Sequence, residues 1–424
     1  MTKHKTAIGK RIHETTPLPG VRLFLVPTNV KGAVFIAGSL PGGSIHTPKN
    51  ALVSSVAADM LDEGTRRQNR RTFREAFESI GASIEFSADT FRTRFSAQCL
   101  KQHVPIIFSL IAEALGEPRF GTAELSNAKA RTIAEIEQQK ENTQACAHIR
   151  LRQILFPRQH PNYALGNDES IRLVQKVTRR DLSDFARHVY GAGDLTIVVG
   201  GDVDSLSIGD EVTRVFGGWQ EIHPQIPSFA TARTPHLREE TIVIHDKANI
   251  DVYIGGPIGI SERHPAYLAL SFGMFVLGGT FFGRLYQEVR EKKGLTYGVR
   301  GMLNGGGDGL DGYWSVWGTF APDLLEKGKT ALRTEIARWV DRGITDTELG
   351  MFKETLRGSY TVALGTAARF TALALGNAEQ NRPTTYFDEY LARIEALTKT
   401  EVNNAIRAHI DPDHAVTVSA GSIV

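Results

Sequence analysis

Arg290 and Tyr297 are the two side chains whose types and spacing most readily do chemistry in this sequence. They fall in the run LGGTFFGRLYQEVREKKGLTY, Leu277 to Tyr297. An arginine offers forked, charged donors and a tyrosine offers a hydroxyl. Together they can converge on one polarised oxygen, such as a peptide carbonyl. The run also predicts the element that must place them. Gly278 and Gly279 make a turn, and Phe282, Leu285, Tyr286 and Val289 then recur at i, i+3, i+4 and i+7, the apolar stripe of a helix. Gly294 is placed to end that helix, and Tyr297 opens a strand. Glu288, Arg290, Glu291, Lys292 and Lys293 crowd its second half, and a charged helix face is by itself ordinary solvated surface.

The rest of the chain must carry this corner. Its 424 residues are too many for one core and suit two domains. Hydrophobic residues make up 41% and charged residues 23%, a globular profile. A net charge of +2 gives no basic surface for nucleic acid. Cys99 and Cys146 form no disulfide framework, and no CxxC is present for zinc. The N-terminus lacks the apolar core of a signal peptide and no long apolar window spans a membrane, so the expected location is cytoplasmic, or periplasmic if a signal has been removed.

Strands are expected at Val21 to Val26 and Ala33 to Ser39. A helix capped by Thr47 and Pro48 carries the stripe Leu52, Val53, Val56, Met60 and Leu61. Thr72 and Glu75 have capping-box spacing for a second helix. Residues 122 to 155 read as one long helix. A proline-rich stretch, 219 to 235, reads as a linker between domains 1–218 and 236–424.

After the linker the order restarts. Shifted by 220 residues, TRRDLSDFARHVYGAGDLTIVVGG from Thr178 falls without a gap on TKTEVNNAIRAHIDPDHAVTVSAG from Thr398. Met60-Leu-Asp-Glu-Gly-Thr is echoed by Phe275-Val-Leu-Gly-Gly-Thr. The sequence therefore predicts two homologous α+β domains, each a mainly antiparallel mixed sheet packed against helices.

At the Leu277–Tyr297 run the chain resembles the insulinase/pitrilysin family of zinc metallopeptidases, in its two-domain processing-peptidase branch. The resemblance implies that Arg290 and Tyr297 hold a substrate carbonyl and its oxyanion. Active members carry HxxEH, in which two histidines hold zinc and a glutamate activates water. The matching positions here are Ser55, Ala58 and Asp59. Glu135, 76 residues after Asp59, stands where the family has a third ligand, and Ala128 replaces the supporting acid. No two histidines fall at i, i+3 or i, i+4, so no metal is expected in this chain. Asp59 and Glu63, one turn apart, are a weak alternative for a hard cation. His46 and His160 read as structural or exposed. The loop Gly305, Gly306 and Gly307 lies between strands and lacks the helix N-terminus of a phosphate site. It is a candidate border of a peptide chamber.

The resemblance implies the zinc-less subunit of a heterodimeric metallopeptidase, inactive alone. A homologous HxxEH-bearing partner would supply zinc, and peptide or unfolded protein would be the substrate. The alternatives are a non-catalytic scaffold, like respiratory-complex core proteins of this fold, and a peptide-binding homodimer.

Overall fold

The computed structural model describes residues 7–233 and 238–423. Residues 234–237, the end of the expected linker and the start of the second half, lie outside the described residues. The chain packs as two compact units. One is drawn from Met1–Ala134, Ser170–Pro227 and Gly358–Leu391, the other from Glu135–Glu169, Ser228–Arg357 and Ala392–Val424.

The first unit holds strands β1 (His13–Leu18), β2 (Val21–Pro27), β3 (Ala33–Pro41), β4 (Ser83–Ala88), β5 (Arg92–Leu100) and β6 (Leu195–Gly201). They run in the order β1-β2-β6-β3-β5-β4, with β2 and β6 parallel and the other pairs antiparallel. The second unit holds β7 (Arg238–Val243), β8 (Ile250–Pro257), β9 (Gly298–Asn304), β10 (Tyr313–Phe320) and β11 (Val416–Gly421). Their order is β7-β11-β8-β10-β9, with β7 and β11 parallel and the rest antiparallel. Leaving out β1, the second order repeats the first strand for strand. The expected duplication is therefore realised as two mixed sheets with the same threading.

The helices of the first half are α1 (Leu52–Asp59), α2 (Arg70–Glu78), α3 (Val104–Gly116), α4 (Thr122–Lys140), α5 (Thr143–Leu155), α6 (Asn167–Lys176), α7 (Arg179–Val189) and α8 (Ser205–Phe216). Those of the second are α9 (Tyr267–Gly278), α10 (Leu325–Arg342), α11 (Asp346–Leu364), α12 (Ala367–Glu379), α13 (Tyr386–Ala396) and α14 (Lys399–His409). Helices α7 and α14 start on full capping boxes, Thr178 with Asp181 and Thr398 with Glu401, a shared local device at the 220-residue shift.

Each sheet is covered by a helix from the other half of the sequence. In the first unit α12 lays Phe370, Ala374, Leu375 and Ala378 on Phe24, Val26, Ala37 and Val198. The approach is close enough that a Cβ at Gly200 would stand 2.0 Å from the Thr371 hydroxyl, so only glycine fits. Arg94 clasps Glu379 at 2.8 and 2.9 Å, and the Ile8 and Gly9 N–H groups donate to Asp388. In the second unit α5 lays Ala147, Leu151, Ile154 and Leu155 against Val416, Val418 and Ala420.

Several local expectations are corrected. Thr47 caps nothing: it closes a short 3₁₀ turn, Ser44–His46, and α1 begins later, after Ala51. The Thr72/Glu75 box is replaced by Asn69, whose side chain accepts the Thr72 N–H and starts α2 earlier. The single long helix at 122–155 breaks after Lys140, because the Asn142 side chain accepts the Ala145 N–H and caps a new helix. The strand β1 and the helix α8 had no counterpart in the sequence reading.

Candidate functional site

The run 277–297 folds differently from a plain α-helix. Gly283 N–H donates to the Thr280 carbonyl and Phe282 N–H to the Thr280 hydroxyl, which closes a turn. Phe282 therefore lies outside the helix and is 67% exposed, not part of its apolar face. A π-helix follows at Tyr286–Lys292. Such turns are rare and occur often at functional sites. Leu285 and Val289 are fully buried and anchor it. Arg284 fixes its start through a two-pronged pair with Glu348 at 2.6 and 2.7 Å and a bond to the Gly343 carbonyl. Gly294 ends it at φ 64°, as expected. Thr296 is buried, its hydroxyl lies between the Gly298 and Thr319 carbonyls, and its oxygen accepts the Gly298 N–H at 3.1 Å, which fixes the corner from which β9 departs.

Arg290 and Tyr297 both belong to this rigid corner, but no hydrogen bond joins them among the described residues. Arg290 lies over the Tyr286 ring, 4.5 Å from its centroid, and donates to the Tyr286 hydroxyl. Its Nε is 3.8 Å from Glu291. Phe281 meets Tyr286 edge-on at 4.9 Å. Tyr297 is 89% exposed and makes no hydrogen bond among the described residues. Tyr286 is thus the residue that orients Arg290, and the sequence reading missed it. The signal was an aromatic four residues before an arginine on one helix, a spacing that brings the two together.

The degenerate zinc positions lie on α1 in the first unit. The Ser55 hydroxyl donates to the Leu52 carbonyl at 3.1 Å, and Ala58 is buried in the core. Asp59 ends the helix on its exposed side. A methyl group cannot activate water, and one carboxylate does not make a zinc site. Glu63, the other acid considered for a cation, is buried and held by Arg70 at 2.8 Å and Arg74 at 3.5 Å. Glu135 is an exposed residue of α4. Among the described residues no group of three or more His, Cys, Asp or Glu is arranged to hold a metal. The residues present do not fit catalytic zinc.

The glycine loop sits at the other end of β9 from Tyr297, roughly 25 Å away at about 3.3 Å per residue. It is tethered. Asn162 donates to the Gly305 and Asp311 carbonyls, and the Gly306 carbonyl accepts the Glu262 N–H. His160, buried and not exposed, donates from Nε2 to Asp311 at 2.7 Å, because its Nδ1 already accepts the Asn162 N–H. The Ala232 N–H donates to the other Asp311 oxygen at 2.6 Å. Burial works to raise the Asp311 carboxyl, but the His160 and Ala232 bonds leave it below its ordinary value. A second histidine, the half-buried His148, stacks on Tyr253 at 4.8 Å and lies 2.7 Å from the Tyr313 hydroxyl. Burial, with Arg152 nearby, brings it down to about 4.

The sequence and the fold match a known family. Residues 30–169 match the model of insulinase, peptidase family M16, and residues 176–356 match that of the peptidase M16 inactive domain. The chain belongs to the M16 insulinase family.

Among its relatives, a Helicobacter pylori protein described as the non-peptidase homolog YmxG is 25% identical over 89% of this chain and 86% of its own length. A Bacillus subtilis protein described as the uncharacterized zinc protease YmxG is 24% identical over 95% of this chain and 97% of its own. A crystal structure of a peptidase M16 inactive domain from Pseudomonas fluorescens superposes with a TM-score of 0.88 at 24% identity, covering 97% of this chain and 98% of that one. A Helicobacter pylori protease structure superposes with a TM-score of 0.84 at 17% identity, covering 97% and 99%.

Proposed function

We propose that this chain is the zinc-less subunit of a two-subunit M16 peptidase. The observation that carries this reading is an asymmetry. Serine, alanine and aspartate stand at the three HxxEH positions, while Arg290 and Tyr297 are kept on a rigid corner with Tyr297 exposed. The partner would be a homologous chain with HxxEH intact, and it would supply zinc and the water-activating glutamate. Arg290 and Tyr297 would then bind the scissile carbonyl and stabilise the oxyanion as it forms. An extended peptide suits a sheet edge, and β4 is such an edge in the first unit.

A non-catalytic role is the second reading, favoured by the relative described as a non-peptidase homolog. The test is to mix the chain with an HxxEH-bearing homologue and assay peptide cleavage. On the first reading the mixture cleaves and each chain alone is slow or silent. Tyr297→Phe lowers turnover roughly 10²-fold, as loss of one oxyanion donor does. A mixture that forms a complex yet never cleaves supports the second reading.

A further inference from the structure

We propose that the Tyr286 hydroxyl is itself a substrate-binding donor, which together with Arg290 grips one carbonyl oxygen of an extended peptide. This role rests on the peptidase reading for its ligand and adds a residue that the reading does not use.

Tyr286 opens the π-helix Tyr286–Lys292 and is half-buried. Its ring is held on two sides. The Arg290 guanidinium lies over it, 4.5 Å from the ring centroid, and the Phe281 ring meets it edge-on at 4.9 Å. Phe281 is fixed in turn, because its carbonyl accepts a Gln287 side-chain N–H at 2.7 Å. Leu285, the chain neighbour of Tyr286, is fully buried and anchors the backbone. The phenol is therefore placed before any ligand arrives, and a further bond from it costs little ordering.

The direction of its one hydrogen bond decides what it can still do. Arg290 Nη1 donates to the Tyr286 oxygen. That oxygen is the acceptor, so the phenol's own O–H is left without an acceptor among the described residues. A phenol carries one O–H donor besides its lone pairs, and an unpaired donor favours any acceptor that reaches it. On the arginine, Nε stands 3.8 Å from Glu291, and Nη2 makes no hydrogen bond among the described residues. The arginine side chain is 34% exposed. Free N–H and O–H groups thus sit side by side, joined by the bond between their parent atoms. A peptide carbonyl oxygen has two lone pairs and can accept from both. Tyr297, 89% exposed and without a hydrogen bond among the described residues, has no such placement and is left for the oxyanion as it forms.

The test reads binding apart from cleavage. The full chain is paired with an HxxEH-bearing homologue whose motif glutamate is changed to glutamine. Calorimetry then measures binding of the probe acetyl-Ala-Leu-Ala-Phe-Ala-Leu-Ala-amide. Tyr286→Phe keeps the ring under Arg290 and removes only the hydroxyl, and it should bind the probe about tenfold more weakly. In an Arg290→Ala background the same change should still weaken binding severalfold, because the hydroxyl touches the peptide itself. It should make no difference for one analogue of the probe, in which a single peptide bond is replaced by a trans-alkene that keeps the shape and lacks the carbonyl. The assignment is overturned if Tyr286→Phe binds like wild type, if its effect persists with every alkene analogue, or if its effect vanishes in the Arg290→Ala background, which makes Tyr286 a support for Arg290 alone. A wild-type pair that does not bind the probe at millimolar concentration overturns it as well. A pair that binds the probe yet does not cleave it once the glutamate is restored refutes the peptidase reading and leaves the Tyr286 contact standing.

Discussion

Replacing Asp311 with alanine removes the acceptor of two donors at once. The His160 side chain is wholly buried, and its Nδ1 is committed to the Asn162 N–H, so its Nε2–H has nowhere else to go. The Ala232 N–H loses its carboxylate as well. A buried donor without an acceptor costs about 1–3 kcal/mol. The backbone donor is less buried than the ring, so the pair should cost about 3 kcal/mol together. For a unit of this size each kcal/mol lowers the melting temperature by roughly 2–4 °C, which gives a fall of roughly 6–12 °C by calorimetry. Asp311→Asn keeps an acceptor for His160 and should lose less than half as much. The pH dependence follows from the sign of the shift. The folded carboxyl lies below its ordinary value, so its contribution is complete above the unfolded pKa of about 4 and fades as pH falls through the folded pKa. The gap between wild type and Asp311→Ala should therefore narrow in acid. A melting temperature for Asp311→Ala within about 2 °C of wild type at pH 7 would refute this account of the loop.

Three further outcomes are expected. Tyr297→Phe should leave thermal stability within about 0.5 kcal/mol of wild type, because the residue is exposed and unbonded, so any loss of turnover is chemical. His148 in the fold protonates only near pH 4, against about 6.5 when unfolded, so stability should fall as pH drops from 6.5 toward 4. That fall amounts to at most about 3 kcal/mol, and His148→Gln should flatten it in denaturant titrations across that window. Glu379→Ala should cost about 1.5–3 kcal/mol by loss of the charged bonds from Arg94, read as a lower urea midpoint, while Arg94→Ala combined with it should add little.

Much of the architecture was legible because the duplication is periodic. The echo at a shift of 220, which lays Thr398 on Thr178, predicted the repeated sheet. What was not legible is tertiary. Nothing in the periodicity of Ala367–Glu379 or Thr143–Leu155 says that each covers the sheet of the other half, because an apolar stripe specifies burial and not a partner. β1 was missed because its residues are mostly exposed, so no alternating pattern marks them. At the site, residue identity at Ser55, Ala58 and Asp59 was enough to argue against zinc. The hold of Tyr286 on Arg290 needed coordinates, since the stripe reading assigned Tyr286 to the core alone. His160 was read as structural or exposed; that it is the structural one, held by Asp311, was not legible because Asp311 is 151 residues away.

The central claim is that this chain lends Arg290 and Tyr297 to a zinc held elsewhere. The most direct measurement is the turnover of a reconstituted pair with an HxxEH-bearing homologue, comparing wild type with the Arg290→Ala, Tyr297→Phe double variant. The account predicts that the double variant still forms the complex, leaves its zinc content unchanged and loses at least about 10²-fold in kcat. A double variant that turns over like wild type, or a wild-type chain that cleaves peptide without any partner, would contradict it.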